Sequence, residues 1–266
     1  MILSSLETWP IELLKFLGEH VTMLLGYYKH KEKVKNYDRY TAPSNPFYDE
    51  KERAEDSIIR LLQSTDLRGW HCTRLTEYEI SYIRENGMRL PDLNNLEERI
   101  RRVQADGLIE ERIAIRLMSE NQANDNKRKH MIWFLFYPPH LAGQHGIERL
   151  LRRWGGEALY NSHERDAETG PILKTIGHPC LIEVDAPISS LRIHTWLGNR
   201  IISRYMRSKG VDTGEEIEHE DYSRYPIPPK KVLRFVLRGE SQFSELTGCE
   251  KWIPPLDDIH LTEPSI

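Results

Sequence analysis

Thr76 and Glu79 stand three residues apart directly after a short extended segment, the spacing of a helix capping box. This signal constrains the chain most, because it fixes a helix start one residue beyond Gly69–Leu75, and Gly87 marks its end through a left-handed residue. Ile80 and Ile83 share one face of the helix so defined. The stretch GWHCTRLTEYEISYIRENGMRLP, residues 69–91, is thus expected to run strand, tight turn, helix, stop. On the strand His71 and Thr73 point to one side, and Cys72 to the other as a small buried hydrophobe. An imidazole and a hydroxyl side by side suit a sugar diol. The helix N-terminus beyond them, with its unsatisfied N–H groups, suits a phosphate. A satisfied histidine at the rim of a core fits the same pattern.

The remaining chain reads as mixed α and β. Leu13, Leu14, Leu17, Val21, Leu24 and Leu25 give residues 11–35 one broad apolar helical face. TAPSNPFYDE, residues 41–50, reads as a linker, and a second helix follows over 49–62. Leu96, Ile100, Val103, Ile113 and Leu117 carry a helical pattern broken near Gly107, and the polar stretch 120–130 reads as a loop. MIWFLFY (131–137) is a buried-strand run. GIERLLRRW is one helical face closed by Gly155, while PCLIEVDAP, LRIHTW and VLRFVLRG read as strands. The fold class is therefore α+β, with an N-terminal helical segment (1–65), a main domain (66–240) and a tail (241–266). Its sheets are expected to meet at a cleft.

Neither common glycine-rich phosphate loop is present, so any nucleotide must be held by other means. The 266 residues carry a formal charge of −4, which supplies no global attraction to nucleic acid or anionic membrane. Charged residues interrupt the N-terminal apolar run, excluding a spanning helix and predicting no membrane partner. Three cysteines without framework spacing favour free thiols and a cytoplasmic location. His71, Cys72, His178 and Cys180 lack any known metal-ligand spacing, so no metal is expected.

Gly69-Trp70-His71-Cys72-Thr73-Arg74-Leu75-Thr76, followed by Ile83, Gly87, Met88 and Arg89, resembles the first NAD-binding motif of diphtheria-toxin-like ADP-ribosyltransferases, which include the poly-ADP-ribose polymerases. That motif has the form aromatic-His-Gly-Ser/Thr-Arg, a helix, then Gly-Leu-Arg. Cys72 stands where the family usually has glycine. The resemblance implies a split β-sheet core over 66–240, NAD as co-substrate, and cofactor-binding roles for His71, Thr73 and Arg74. It also implies an aromatic platform for nicotinamide, for which Tyr137 and Tyr160 are available. Tyr160 is favoured because Gly155 and Gly156 would let backbone approach a flat ring. A late glutamate is implied as well. Glu218-His219-Glu220 resembles the Glu-x-Glu motif of the superfamily's other branch, which makes Glu220 catalytic beside His71, with Glu218 in reserve and Glu157 a further candidate acid.

Under that resemblance the acceptor of ADP-ribose is an intracellular nucleic acid or protein. Arg149, Arg152, Arg153 and the KRKH run at 127–130 offer a local cationic surface for nucleic acid, or else an ordinary solvated face. A small transferase of this kind suits a toxin of a toxin–antitoxin or phage-defence system, with an antitoxin protein as partner. The alternative from another class is a catalytically inactive module of the same fold that senses NAD or ADP-ribose.

Overall fold

The computed structural model describes residues 1–38, 40–192 and 194–256. The chain runs α1 (Ile11–Glu19), α2 (Val21–Val34), α3 (Tyr48–Leu61), β1 (Asp66–Leu75), α4 (Glu77–Asn86), α5 (Leu93–Ala105), α6 (Glu111–Ser119) and β2 (Ile132–Leu135). It continues with α7 (Gly143–Arg152), α8 (Glu157–His163), α9 (Thr169–Thr175), β3 (His178–Pro187), α10 (His194–Ser208), β4 (Glu220–Ser223), β5 (Val232–Leu237) and α11 (Ser241–Thr247). Helices and one open sheet make the protein α+β. The strand order is β4-β2-β1-β3-β5, and the β1–β2 and β3–β5 pairs are antiparallel. Among the described residues the strands join a single sheet, so the expected division into two sheets is corrected. The ten-residue strands β1 and β3 are long enough to pair along both edges.

By contacts the chain forms two compact units, residues 1–68 with 186–221, and 69–185 with 222–266. The first unit joins the N-terminal helices to α10, whose first residues, His194–Trp196, close the stretch LRIHTW (191–196) that was expected as a strand; position 193 of that stretch lies outside the described residues. α10 instead carries a helical apolar pattern, with Leu197, Ile201, Ile202 and Met206 buried. The single helix expected over 11–35 is two. His20 leaves helical geometry at φ −96°, ψ 0°, and its ring bonds the Phe16 carbonyl at 2.8 Å. Inside this unit Lys51 and Glu55 form a buried ion pair one turn apart on α3, with the Lys51 ammonium 5.1 Å from the Tyr27 ring centroid. Burial raises the Glu55 carboxyl, and the Lys51 cation partly restrains it.

In the second unit α5 and α6 break apart at Gly107, as the sequence pattern indicates. Their Leu96, Ile100, Val103, Ile113 and Leu117 pack with Trp154, Leu159 and Leu173 in one core. Each fully buried Leu or Ile there contributes about 2 kcal/mol. A second core covers the sheet face that carries Cys72, Leu181 and Val236. It takes Ile147 and Leu151 from α7, Phe243 from α11, and Trp252 and Leu256 from the tail. The opposite sheet face, holding His71, Thr73 and Ile182, lines a cavity. Alternation along β1 thus separates a packing face from a ligand-accessible one.

Candidate functional site

The capping box forms as the sequence indicates. Thr76 Oγ1 accepts from the Glu79 backbone at 3.2 Å, and Glu79 Oε2 accepts from the Thr76 backbone at 2.8 Å. Glu79 does more than cap: Oε2 also accepts from Trp154 Nε1 at 3.0 Å, and Oε1 accepts from Arg99 Nε at 2.5 Å. One buried carboxylate therefore ties α4 to α5 and to the turn before α8. At the other end Gly87 has positive φ as expected, but with ψ −172° it is extended and not left-handed helical. The cause is close approach: a Cβ here would lie 2.1 Å from the Ile227 carbonyl oxygen. Met88 and Ile227 exchange both backbone hydrogen bonds, at 2.8 and 3.0 Å.

Between this helix, α5 and the sheet lies a cavity of about 240 Å³. His71 and Thr73 form part of its wall, both half-buried. His71 Nδ1 donates to the Trp133 carbonyl at 2.9 Å, and since a carbonyl only accepts, the tautomer leaves Nε2 as a hydrogen-bond acceptor. Burial holds the imidazole below its ordinary value; the Arg99 cation adds to this, and the bond to Trp133 opposes it. The histidine is thus neutral at pH 7, able to accept a hydroxyl proton in a hydrogen bond beside the Thr73 hydroxyl.

The expected phosphate site at the α4 N-terminus is not what the structure builds. Thr76 and Glu79 satisfy donors there, and Glu77 and Glu79 place two carboxylates in the first turn. The cations of the cavity are Arg89, Arg99 and Arg102. Arg102 lies over the Tyr78 ring at 4.1 Å and Arg89 over Tyr82 at 4.8 Å. Arg89 closes the motif quoted from the sequence, whereas Arg99, Arg102, Tyr78 and Tyr82 were not selected from it. The spacing of Tyr78 with Tyr82, and of Arg99 with Arg102, does place each pair on one helix face, but no local signal places α5 against α4.

The other expected residues are elsewhere. Arg74 is buried, and its guanidinium donates to the carbonyls of Ile176, Leu151 and Gly177 at 3.0, 3.2 and 2.7 Å. Tyr137 is buried beyond the end of β2 and does not line the cavity. Tyr160 is buried under the Arg149 guanidinium, 4.1 Å from its ring, and donates to Glu157 Oε1 at 3.2 Å. Burial, then Glu157, raises its phenol. Gly155 serves packing rather than ring approach, since a Cβ there would lie 2.3 Å from Leu159 Cδ1. Glu157 is exposed and 3.2 Å from Arg128. Glu218 and Glu220 belong to the first unit, Glu220 exposed at the start of β4 and Glu218 half-buried just before it.

The arginines expected to offer a cationic surface are spent internally. Arg149 pairs with Glu164 at 2.7 Å, and Arg153 lies 3.9 Å from the same carboxylate. Arg152 is buried and reaches Glu148 and the carbonyls of Pro254 and Pro255. Among the described residues no helix is long and apolar enough to cross a membrane. No family model, no curated protein and no solved structure matches the chain.

Proposed function

We propose that the protein is an NAD-dependent ADP-ribosyltransferase acting on an intracellular macromolecule. The observation that carries the reading is the pairing of His71 and Thr73 on one cavity wall, with His71 held neutral and its Nε2 set as an acceptor by the Trp133 carbonyl. That arrangement fits a ribose diol, and the neighbouring arginines fit the charge of a diphosphate. The cavity, about 240 Å³, falls just below the roughly 300 Å³ at which small-molecule sites begin, so it would enclose part of a dinucleotide and leave the rest at the mouth.

NAD supplies the glycosidic bond that is broken, with nicotinamide as leaving group. His71 would orient the ribose through Nε2, and a carboxylate beside the 2′-hydroxyl would stabilise the oxocarbenium-like transition state and receive the acceptor's proton. Glu220 is assigned that carboxylate. Incubating the full chain with labelled NAD and a lysate, divided between nuclease and protease treatment, tests the reading and identifies the acceptor. His71→Ala abolishes labelling, while Glu220→Gln abolishes it yet keeps NAD binding. Unchanged labelling by both variants removes the assignment. Toxicity on expression, rescued by either substitution, would support the toxin role and with it an antitoxin partner.

A second reading is the inactive NAD- or ADP-ribose-sensing module. It is favoured by Tyr160, the preferred platform, whose ring and hydroxyl are engaged by Arg149 and Glu157 away from the cavity. Binding of ADP-ribose without label transfer to any fraction distinguishes it.

A further inference from the structure

Three arginines face the cavity, but they are held with very different strength. Arg99 is committed: its Nε lies 2.5 Å from Glu79 Oε1, a carboxylate buried in the site, and its guanidinium stacks 4.8 Å from the Trp154 ring centroid. Arg89 and Arg102 are paired with exposed partners. Arg89 lies 2.8 Å from Glu98, with side chains 42% and 57% exposed, and Arg102 lies 2.9 Å from Asp106, with side chains 47% and 33% exposed. Exposed pairs of this kind contribute little to stability, so an arriving anion displaces them at small cost.

Aromatic support braces both guanidiniums, and Arg89 also donates through Nε and Nη2 to the Asn95 amide oxygen, at 3.1 and 3.2 Å. Arg89 sits 4.8 Å from the Tyr82 centroid and Arg102 4.1 Å from the Tyr78 centroid, and the two rings are neighbours 6.3 Å apart on α4. Stacking on a ring limits a guanidinium's rotamers while leaving its N–H edge available for a planar, two-point bond to phosphate oxygens. Cavity-wall cations outnumber the carboxylates Glu79 and Glu98 by one, and Glu98 is exposed enough to turn away into water.

We infer that Arg89 and Arg102, braced on Tyr82 and Tyr78, form a clamp for the diphosphate of a nucleotide bound in this cavity. The inference rests on the nucleotide reading of the His71 cavity, but it assigns the anionic part of the ligand to residues of α5 and the α4–α5 connection instead of the α4 N-terminus. Phosphate-free nucleosides gain nothing from the pair.

The test is calorimetric titration of the full chain with ADP-ribose, inorganic pyrophosphate and adenosine, in wild type and in Arg102→Gln, Arg89→Gln and Arg102→Lys. Each glutamine variant is expected to weaken ADP-ribose and pyrophosphate binding by about tenfold or more, as loss of a charge-assisted bidentate bond requires, and to leave adenosine unchanged. Arg102→Lys, which keeps the charge and loses the fork, falls between. Raising the salt concentration weakens wild-type ADP-ribose binding more than that of the glutamine variants. Variants that bind ADP-ribose as wild type does overturn the clamp while leaving the NAD reading intact. Pyrophosphate binding lost in the variants, with no ADP-ribose binding in wild type, upholds the clamp and sinks the NAD reading. Equal losses for adenosine and ADP-ribose overturn the clamp, because the arginines would then only shape the cavity. Failure of wild type to bind all three overturns both.

Discussion

His71 Nδ1 lies 2.9 Å from the Trp133 carbonyl oxygen, a side-chain bond from β1 to the neighbouring strand β2 that fixes which ring nitrogen faces a ligand. His71→Asn keeps a donor for Trp133 and loses the acceptor at Nε2, whereas His71→Ala loses both. Both variants are expected to weaken ADP-ribose binding by about tenfold, the worth of one good hydrogen bond, with only the alanine variant also losing thermal stability. Equal melting of the two would deny the Trp133 bond its structural part.

The same residue sets a pH dependence. Its pKa in the fold is depressed below the ordinary 6.5 by burial first and Arg99 second. The folded state therefore releases its proton earlier than the unfolded chain, and His71's contribution to stability is complete above pH 6.5 and declines as pH falls through the depressed value. Ligand binding through Nε2 should follow the same course, flat from neutral pH upward and falling on the acid side. A binding profile that rises towards acid would show that the charged imidazole is the binding form.

Glu79 should matter far more to stability than the cap it completes. Thr76→Ala removes one capping interaction and is expected to cost about 1 kcal/mol. Glu79→Ala leaves Arg99 Nε, Trp154 Nε1 and the Thr76 N–H without their shared acceptor, for which about 4 kcal/mol is expected. Urea unfolding of the two variants measures the ratio, and similar losses would reduce Glu79 to an ordinary capping residue.

Gly87→Ala joins a positive φ of 78° to a Cβ placed 2.1 Å from the Ile227 oxygen, an atom fixed by its bond to Met88. A loss of about 3 kcal/mol or more is expected, against about 1 kcal/mol from the φ alone. Melting that moves only by the smaller amount would mean that the Ile227 segment yields.

In the first unit, Lys51→Met removes the cation that pairs with Glu55, both groups being buried. A loss of about 3–5 kcal/mol at pH 7 is expected. Glu55 already has a raised carboxyl pKa from burial, and without Lys51 it rises further. A folded group that binds its proton more tightly than the unfolded chain stabilises as pH falls, so the variant recovers part of its loss towards pH 5 while wild type recovers less. A pH-independent difference between the two would show that Glu55 is already neutral at pH 7.

The sequence by itself determined those features whose physics is local. A capping box closes over three residues, so Thr76 and Glu79 announced the start of α4. Alternation along β1 was enough to place His71 and Thr73 on one face and Cys72 on the other, and Gly107 separated two amphipathic helices. Only the tertiary structure decided the rest. The end of LRIHTW reads as strand, yet His194–Trp196 begin α10, where burial of Leu197, Ile201 and Met206 along one face overrides that preference. Arg74, although part of the motif, reached three carbonyls contributed by distant residues, none visible within its own neighbourhood. The arginines of α7 looked like a solvated cationic face because the carboxylate that neutralises Arg149, Glu164, lies on another segment. Tyr78, Tyr82 and Arg102 carried no motif at all. Their part in the cavity arises from packing α5 against α4, a long-range choice made by Leu96 and Ile100 burying their own face in the core, which turned Arg99 and Arg102 towards the site.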